Sequence, residues 1–301
     1  MHPLRIGTRG SALALWQANH VRDLLRAVTP RPIELVEIET VGDQVQNVSL
    51  VQLGGEGAFT KAIQQALLDN RVDVAVHSLK DLPTFKVEGL TLAAVPQRGP
   101  TGDAFVSKKH RAFAQLPQGA LVATSSLRRK AQLLHRRPDL RLTDIRGNVE
   151  TRLRKLAEQD LDAIILAHAG LVRLGLTEHI TEVLDQAWMY PAVGQGALGL
   201  ECRTDDAGTR ALLDRLNDTA TRWAVLAERA MLRGLGGGCQ VPIGAVTTIT
   251  NKVLTLRGVV LPPDGHQRIE SMIAGPMADA ETLGQALADE LRKRGAAELL
   301  T

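Results

Sequence analysis

The side chains here that could do chemistry are a thiol, a few carboxylates and many guanidinium groups, and they fall in short strings. Gly236-Gly237-Gly238-Cys239-Gln240-Val241-Pro242 sets one of only two cysteines behind three glycines. Glycine lets backbone approach a ligand closely, so the string reads as a thiol on a flexible tether. The competing reading is a buried, inert cysteine, the usual state of a free thiol. His77-Ser78-Leu79-Lys80-Asp81 packs imidazole, hydroxyl, ammonium and carboxylate into five consecutive residues. Hydrolytic triads assemble from separate segments, so this string reads instead as a charged, hydrogen-bonding turn at a strand end. Lys80 can meet an anion there, and Asp81 places a carboxylate beside it.

Ser125-Ser126-Leu127-Arg128-Arg129 puts two guanidinium groups where a helix begins. Free N–H groups and the positive dipole end favour anions at such a place. Arginine adds a planar fork that matches carboxylate or phosphate in bidentate fashion. Thr8-Arg9-Gly10-Ser11 repeats the arrangement near the start of the chain, and Arg146-Gly147-Asn148, Arg152 and Arg173 extend it. Arg136, Arg137 and Arg154 fit an exposed helix face better. Gly194-Gln195-Gly196-Ala197-Leu198-Gly199 spells the dinucleotide-binding glycine string, but no core strand precedes it and no βαβ unit follows; it reads as a hinge. No Cys/His spacing suggests a metal site.

Composition narrows the ligand. Lys and Arg number 36 against 33 Asp and Glu, a net charge of only +3, and aromatic residues make up 3% of the 301. That leaves little with which to stack single-stranded nucleic acid, and no helix-turn-helix, zinc-finger or RNA-recognition pattern is present. No apolar run is long enough to span a membrane. Met1-His2-Pro3-Leu4-Arg5-Ile6-Gly7 lacks the regions of a signal peptide, and two cysteines make no disulfide framework. The expectation is a cytoplasmic, monomeric protein with neither nucleic acid nor membrane as partner, binding a small polyanion.

The elements that must hold these groups alternate between strand and helix. Leu4–Gly7, Ile33–Val41, Val72–Val76 and Leu90–Val95 read as strands, with helices over Ala12–Val28 and Ala58–Asn70, the latter carrying Phe59 on its apolar side. After Pro100 the pattern restarts. Asp103–Val106, Ala120–Thr124, Leu140–Thr143 and Ala163–Ala167 are strands, with helices from Ser126 to Arg137 and over Asn148–Gln159. Leu4–Ser11 parallels Ala120–Leu127, and Arg71–Val76 parallels Leu161–Leu166. Two similar α/β lobes imply a cleft with ligand at the C-terminal ends of the strands. Tyr190–Gly199 reads as a Pro/Gly-rich link. From Val241 the style changes to three strands and a helix over Glu281–Lys293, an α+β domain. The expected domains are 1–97 with 196–215, 101–192 and 217–301.

Taken together these strings resemble the porphobilinogen deaminase (hydroxymethylbilane synthase) family over nearly the whole chain. The most specific pieces are Thr8-Arg9-Gly10-Ser11, His77-Ser78-Leu79-Lys80-Asp81-Leu82-Pro83, Thr124-Ser125-Ser126-Leu127-Arg128-Arg129, Arg146-Gly147-Asn148-Val149, Pro191-Ala192-Val193-Gly194-Gln195-Gly196 and Gly237-Gly238-Cys239-Gln240-Val241-Pro242. The resemblance implies two periplasmic-binding-protein-like α/β lobes around a cleft plus a small α+β C-terminal domain, with a segment after Gly196 returning to the first lobe. It implies a dipyrromethane cofactor held by a thioether to Cys239. Four porphobilinogen molecules would be added stepwise with loss of ammonia, and hydrolysis would release hydroxymethylbilane. Asp81 would stabilise positive charge on pyrrole nitrogen, with Lys80 beside it. Arg9, Arg128, Arg129, Arg146, Arg152 and Arg173 would bind carboxylates, supported by Ser11, Ser126 and Asn148, and Phe59 and Lys61 would belong to the lid. Gln52 and Glu56 stand where many members have lysine, and Gly236 stands where glutamate is common. Two other functions fit the bare residue pattern: a non-enzymatic two-lobed anion receptor, and an arginine-based RNA binder with salt-steep affinity.

Overall fold

In the computed structural model, residues 2–40, 60–237 and 241–300 are described. The strands, in chain order, are β1 (Leu4–Thr8), β2 (Ile33–Glu37), β3 (Val74–Ser78), β4 (Leu90–Ala94), β5 (Asp103–Val106), β6 (Leu121–Ala123), β7 (Arg141–Thr143), β8 (Ala163–Ala167), β9 (Glu182–Val183), β10 (Leu198–Arg203), β11 (Ile243–Thr250), β12 (Val253–Val260) and β13 (Ile269–Pro276). The chain divides into two compact units, residues 1–99 with 196–222, and residues 100–195 with 223–301.

The first unit is built on a five-stranded sheet of order β2-β1-β3-β10-β4. β1, β2 and β3 run parallel, while β10 is antiparallel to both of its neighbours. Parallel strands need both faces covered, and the sequence supplies the apolar side chains for it. Ala18, Val21 and Leu25 of the helix Ala12–Arg26 pack on Leu4, Ile6, Val74 and Leu200. On the opposite face Ile63, Ala66 and Leu67 of the helix Lys61–Leu68 meet Val72 and Ala75. Asp73 fastens the first strand to the returning one, accepting from Arg5 Nη2 at 2.9 Å and Arg203 Nη2 at 3.1 Å. Burial alone would raise the pKa of Asp73, but the two arginines lower it.

The second unit contains a sheet of order β7-β6-β8-β5-β9. It repeats the first: three parallel strands, then an antiparallel strand taken from elsewhere in the chain. Its five-residue central strand β8 is apolar throughout, as a strand covered on both faces must be. The same unit holds the antiparallel sheet β11-β12-β13. Leu254, Leu256 and Val260 of that sheet share a core with Leu283, Leu287 and Leu291 of the helix Ala280–Lys293.

The fold class expected from the sequence, two α/β lobes and a smaller α+β body, is what these sheets form. One stretch differs. Tyr190–Gly199 was expected as a link, yet strand β10 begins at Leu198. Glycine and proline punctuate the approach to it, although Leu198, Leu200 and Cys202 alternate into the core as a strand requires.

Candidate active site

In the first unit, the C-terminal ends of β1 and β3 open on a cavity of about 90 Å³. Arg9, Ser11, Gln17, His77, Ser78 and Asp81 are among the residues lining it. The turn after β1 carries Arg9 and ends at Ser11, whose hydroxyl caps the following helix by accepting from the Ala14 amide at 3.4 Å. At the end of β3 the chain tightens into a short 3-10 turn, Leu79–Asp81, which presents Asp81. Gln17 Nε2 donates to Ser78 Oγ at 2.8 Å, and the Leu79 amide donates to Ala197 O at 3.0 Å. Thus Arg9, Ser11 and Asp81 come together at one cavity. Lys80 is half-buried on the same turn, and Lys61 is exposed as the first residue of its helix.

The second unit treats its arginines differently. Ser126 stands at the N-cap of the helix Leu127–Arg136 but makes no capping bond with its side chain. Arg128 and Arg129, in the first turn, are buried and converge on Asp103 of β5. Arg128 Nη1 donates to Asp103 Oδ2 at 2.8 Å, and Arg129 donates to Oδ1 from Nη2 at 2.7 Å and Nε at 3.0 Å. Gln195 Nε2 adds a further bond to Oδ1 at 2.9 Å. Burial alone would raise the pKa of Asp103, but the two guanidinium charges hold it well below the usual carboxylate range. The anion that most of these donors hold is therefore a protein carboxylate. Arg128 also donates to Tyr190 O, while its buried Nε meets no partner among the described residues.

Asn148 caps the helix Val149–Glu158 by accepting from the Thr151 amide at 2.8 Å. The preceding Gly147 has φ +112°. A Cβ there would stand 2.5 Å from Thr151 Cγ2, so Arg146 and Asn148 depend on glycine between them. Arg152 Nε donates back to Gly147 O at 2.8 Å. Arg173 ends the short helix His168–Arg173, and burial pushes its pKa down to about 10, which still leaves it charged at neutral pH.

Cys239, Phe59, Gln52 and Glu56 lie outside the described residues. Cys202, the other cysteine, is fully buried in the first unit's core, and burial pushes its thiol up to about 11. A thiol so placed is inert. The chain leading to Cys239 is defined: the helix Thr219–Gly234 ends with the Gly237 amide on Leu232 O at 3.0 Å. Gly236 has φ +70° and open space around it, while a Cβ on Gly237 would meet Ile243 Cδ1 at 2.7 Å. Sequence reasoning missed Asp103, Gln17 and Gln195. A lone aspartate opening an apolar strand is the available signal for the first, since a buried carboxylate demands cationic partners.

Parallel strands whose C-terminal ends bring an arginine, a serine and an aspartate to one cavity define an α/β protein with a candidate ligand site at the strand ends. Residues 4–211 match the family described as porphobilinogen deaminase, dipyromethane cofactor binding domain, and residues 223–293 match porphobilinogen deaminase, C-terminal domain. The porphobilinogen deaminase of Syntrophotalea carbinolica is 52% identical over 298 residues, covering 99% of this chain and 95% of the relative. That of Geobacter sulfurreducens is 51% identical over 301 residues, covering 100% and 94%. The chain belongs to the porphobilinogen deaminase family. Among solved structures, an ABC-transporter periplasmic substrate-binding protein from Coxiella burnetii has a TM-score of 0.46 at 15% identity, covering 75% of this chain and 96% of that one. Immunogenic lipoprotein A from Vibrio vulnificus gives 0.46 at 15%, covering 75% and 99%.

Proposed function

We propose that this chain joins four porphobilinogen molecules head to tail on a dipyrromethane primer and releases hydroxymethylbilane. The observation that carries the reading is the cavity where Arg9, Ser11 and Asp81 meet, in a chain that matches both family domains. The buried, partnerless Nε of Arg128 fits a bound carboxylate, since such a nitrogen is costly to leave unpaired. Arg128, Arg129, Arg146, Arg152 and Arg173, with Ser126 and Asn148, would hold the carboxylates of the primer and the growing chain. Cys239 would anchor the primer by a thioether, because Cys202 is buried out of reach of any ligand. When bound, the dipyrromethane supplies the pyrrole carbon to which the first substrate is joined.

Each addition breaks the aminomethyl C–N bond of porphobilinogen, releases ammonia and forms one C–C bond. Positive charge develops on pyrrole nitrogen as the C–N bond breaks, and the Asp81 carboxylate stabilises it from the cavity wall. Arg9 and Ser11 orient the substrate by its acetate or propionate, and Lys80 supplies a further cation on the same turn. Phe59 and Lys61 would close over the ligand. The same reading makes the protein a cytoplasmic monomer without nucleic acid or membrane as partner; no helix among the described residues is long and apolar enough to cross a membrane. Incubation with porphobilinogen tests it: ammonia and hydroxymethylbilane should appear in a four-to-one ratio. Reversible binding of porphobilinogen without either product would favour an anion receptor instead.

A further inference from the structure

His77, which lines the first unit's cavity, also belongs to a polar cluster that the reaction described above does not use. His77 on β3, Glu201 on β10 and Gln64 on the helix Lys61–Leu68 meet on a sheet face otherwise covered by Ile63, Ala66, Leu67 and Ala75. His77 Nε2 lies 3.0 Å from Glu201 Oε2, off hydrogen-bonding geometry, and Gln64 Nε2 donates to the two oxygens of Glu201 at 3.3 and 3.0 Å. All three residues are buried. A carboxylate withdrawn from water in this way is expensive, and apolar side chains of similar volume commonly give equal or greater stability. Stability is thus a poor reason for the cluster to exist.

Its position suggests a better one. Successive residues of a strand point to opposite faces, and the last two of β3 are both gripped. His77 packs against Glu201 on one face, and Ser78 accepts a hydrogen bond from the buried Gln17 on the other. The next residues are the 3-10 turn that presents Asp81. The strand end is clamped from both faces immediately before the carboxylate that must be aimed. Register supplies the third support: Gly199 of β10 pairs with His77 and Leu198 with Ser78, so the strand carrying Glu201 also carries the backbone that closes the turn.

We propose that the Gln64–His77–Glu201 cluster is a positioning device for Asp81, retained for activity at the expense of stability. Glu201 acts through His77 and never meets substrate. The identity of the reaction it serves rests on the function proposed above; the clamp itself does not.

Two variants test it on the intact enzyme, with primer loading checked by mass. Glu201→Gln keeps the volume and removes the charge. The combination Gln64→Leu, His77→Leu and Glu201→Met makes the cluster apolar. A small misplacement of a reacting group costs one to two orders of magnitude in rate, so Glu201→Gln should lower kcat at least about tenfold and move KM by less than about twofold. The apolar triple variant should melt at or above the wild-type temperature and still show the loss in kcat. In both, amide hydrogen exchange of residues 78–82 should accelerate while the rest of the sheet stays protected. A triple variant with wild-type kcat, or one in which kcat and melting temperature fall together, would overturn the proposal. Unchanged exchange at residues 78–82 would overturn it too, whatever the purified enzyme does with porphobilinogen.

Discussion

The turn after β1 and the turn after β6 are equivalent places in two sheets of the same strand order, yet they handle charge in opposite ways. In the first, Arg9 lines an open cavity and Ser11 spends its hydroxyl on capping the next helix. In the second, the Ser126 side chain caps nothing, and the arginines sit in the first turn of the helix, where Asp103 holds them buried. The first arrangement places a cation at the cavity and keeps the helix start satisfied by a neutral group. The second buries two cations on one carboxylate. A repeated fold therefore does not imply a repeated site: the same helix start can be a platform or a clamp, depending on where the guanidinium sits.

The largest expected effect separates the platform from the clamp. Asp81→Ala should lower kcat by about two to three orders of magnitude, the usual loss when a preorganised electrostatic partner is removed, with an unaltered melting curve. A variant turning over at the wild-type rate would remove Asp81 from catalysis. Asp103→Asn should do the reverse, costing ~3–5 kcal/mol of stability because two buried guanidinium groups lose their counter-charge. The sign with pH follows. The folded pKa of Asp103 is depressed, so its contribution is complete above the unfolded carboxylate value of about 4 and is lost as pH falls below it. Acid titration of the melting temperature should therefore show a drop below about pH 4 that Asp103→Asn flattens.

Smaller effects sharpen the contrast. Arg128→Leu removes the partnerless Nε and should impair primer loading, read as a larger fraction of bare polypeptide after expression. Ser11→Ala should cost ~0.5–1 kcal/mol as a lost helix cap, whereas Ser126→Ala should leave stability unchanged, since its side chain caps nothing. Equal losses at the two serines would break the comparison. The smallest change concerns the tether. Gly236 has φ +70°, so Gly236→Ala should destabilise by ~1 kcal/mol, the strain of that backbone region for a residue with a Cβ.

Much of this was legible in the residues. Apolar runs such as Ala163–Ala167 and the heptad-like spacing of Val21, Leu24, Leu25 and Val28 announce their elements, and Ser11 and Asn148 announce helix starts by the chemistry of capping. The cavity-facing trio of Arg9, Ser11 and Asp81 was readable because each closes a strand or opens a helix. What stayed hidden depends on contacts far apart in sequence. Asp103 lies 25 residues from Arg128, and no local pattern says that a strand aspartate will pair with a helix arginine. Strand β10 returns to the first sheet after a whole intervening lobe, so neither its partners nor Glu201's role is written in its neighbours. Gly236 stands where the resemblance implies glutamate, and its positive φ gives glycine a conformational reason to be there.

The central claim is that Cys239 anchors a primer of two pyrrole units. The measurement that tests it most directly is the intact mass of the purified protein, made in cells with normal porphobilinogen supply and compared with a Cys239→Ser variant. The account predicts the polypeptide mass plus a covalent dipyrromethane in the parent protein, and the bare polypeptide mass in the variant. A parent protein at the bare mass, or an adduct that survives the loss of Cys239, would contradict it.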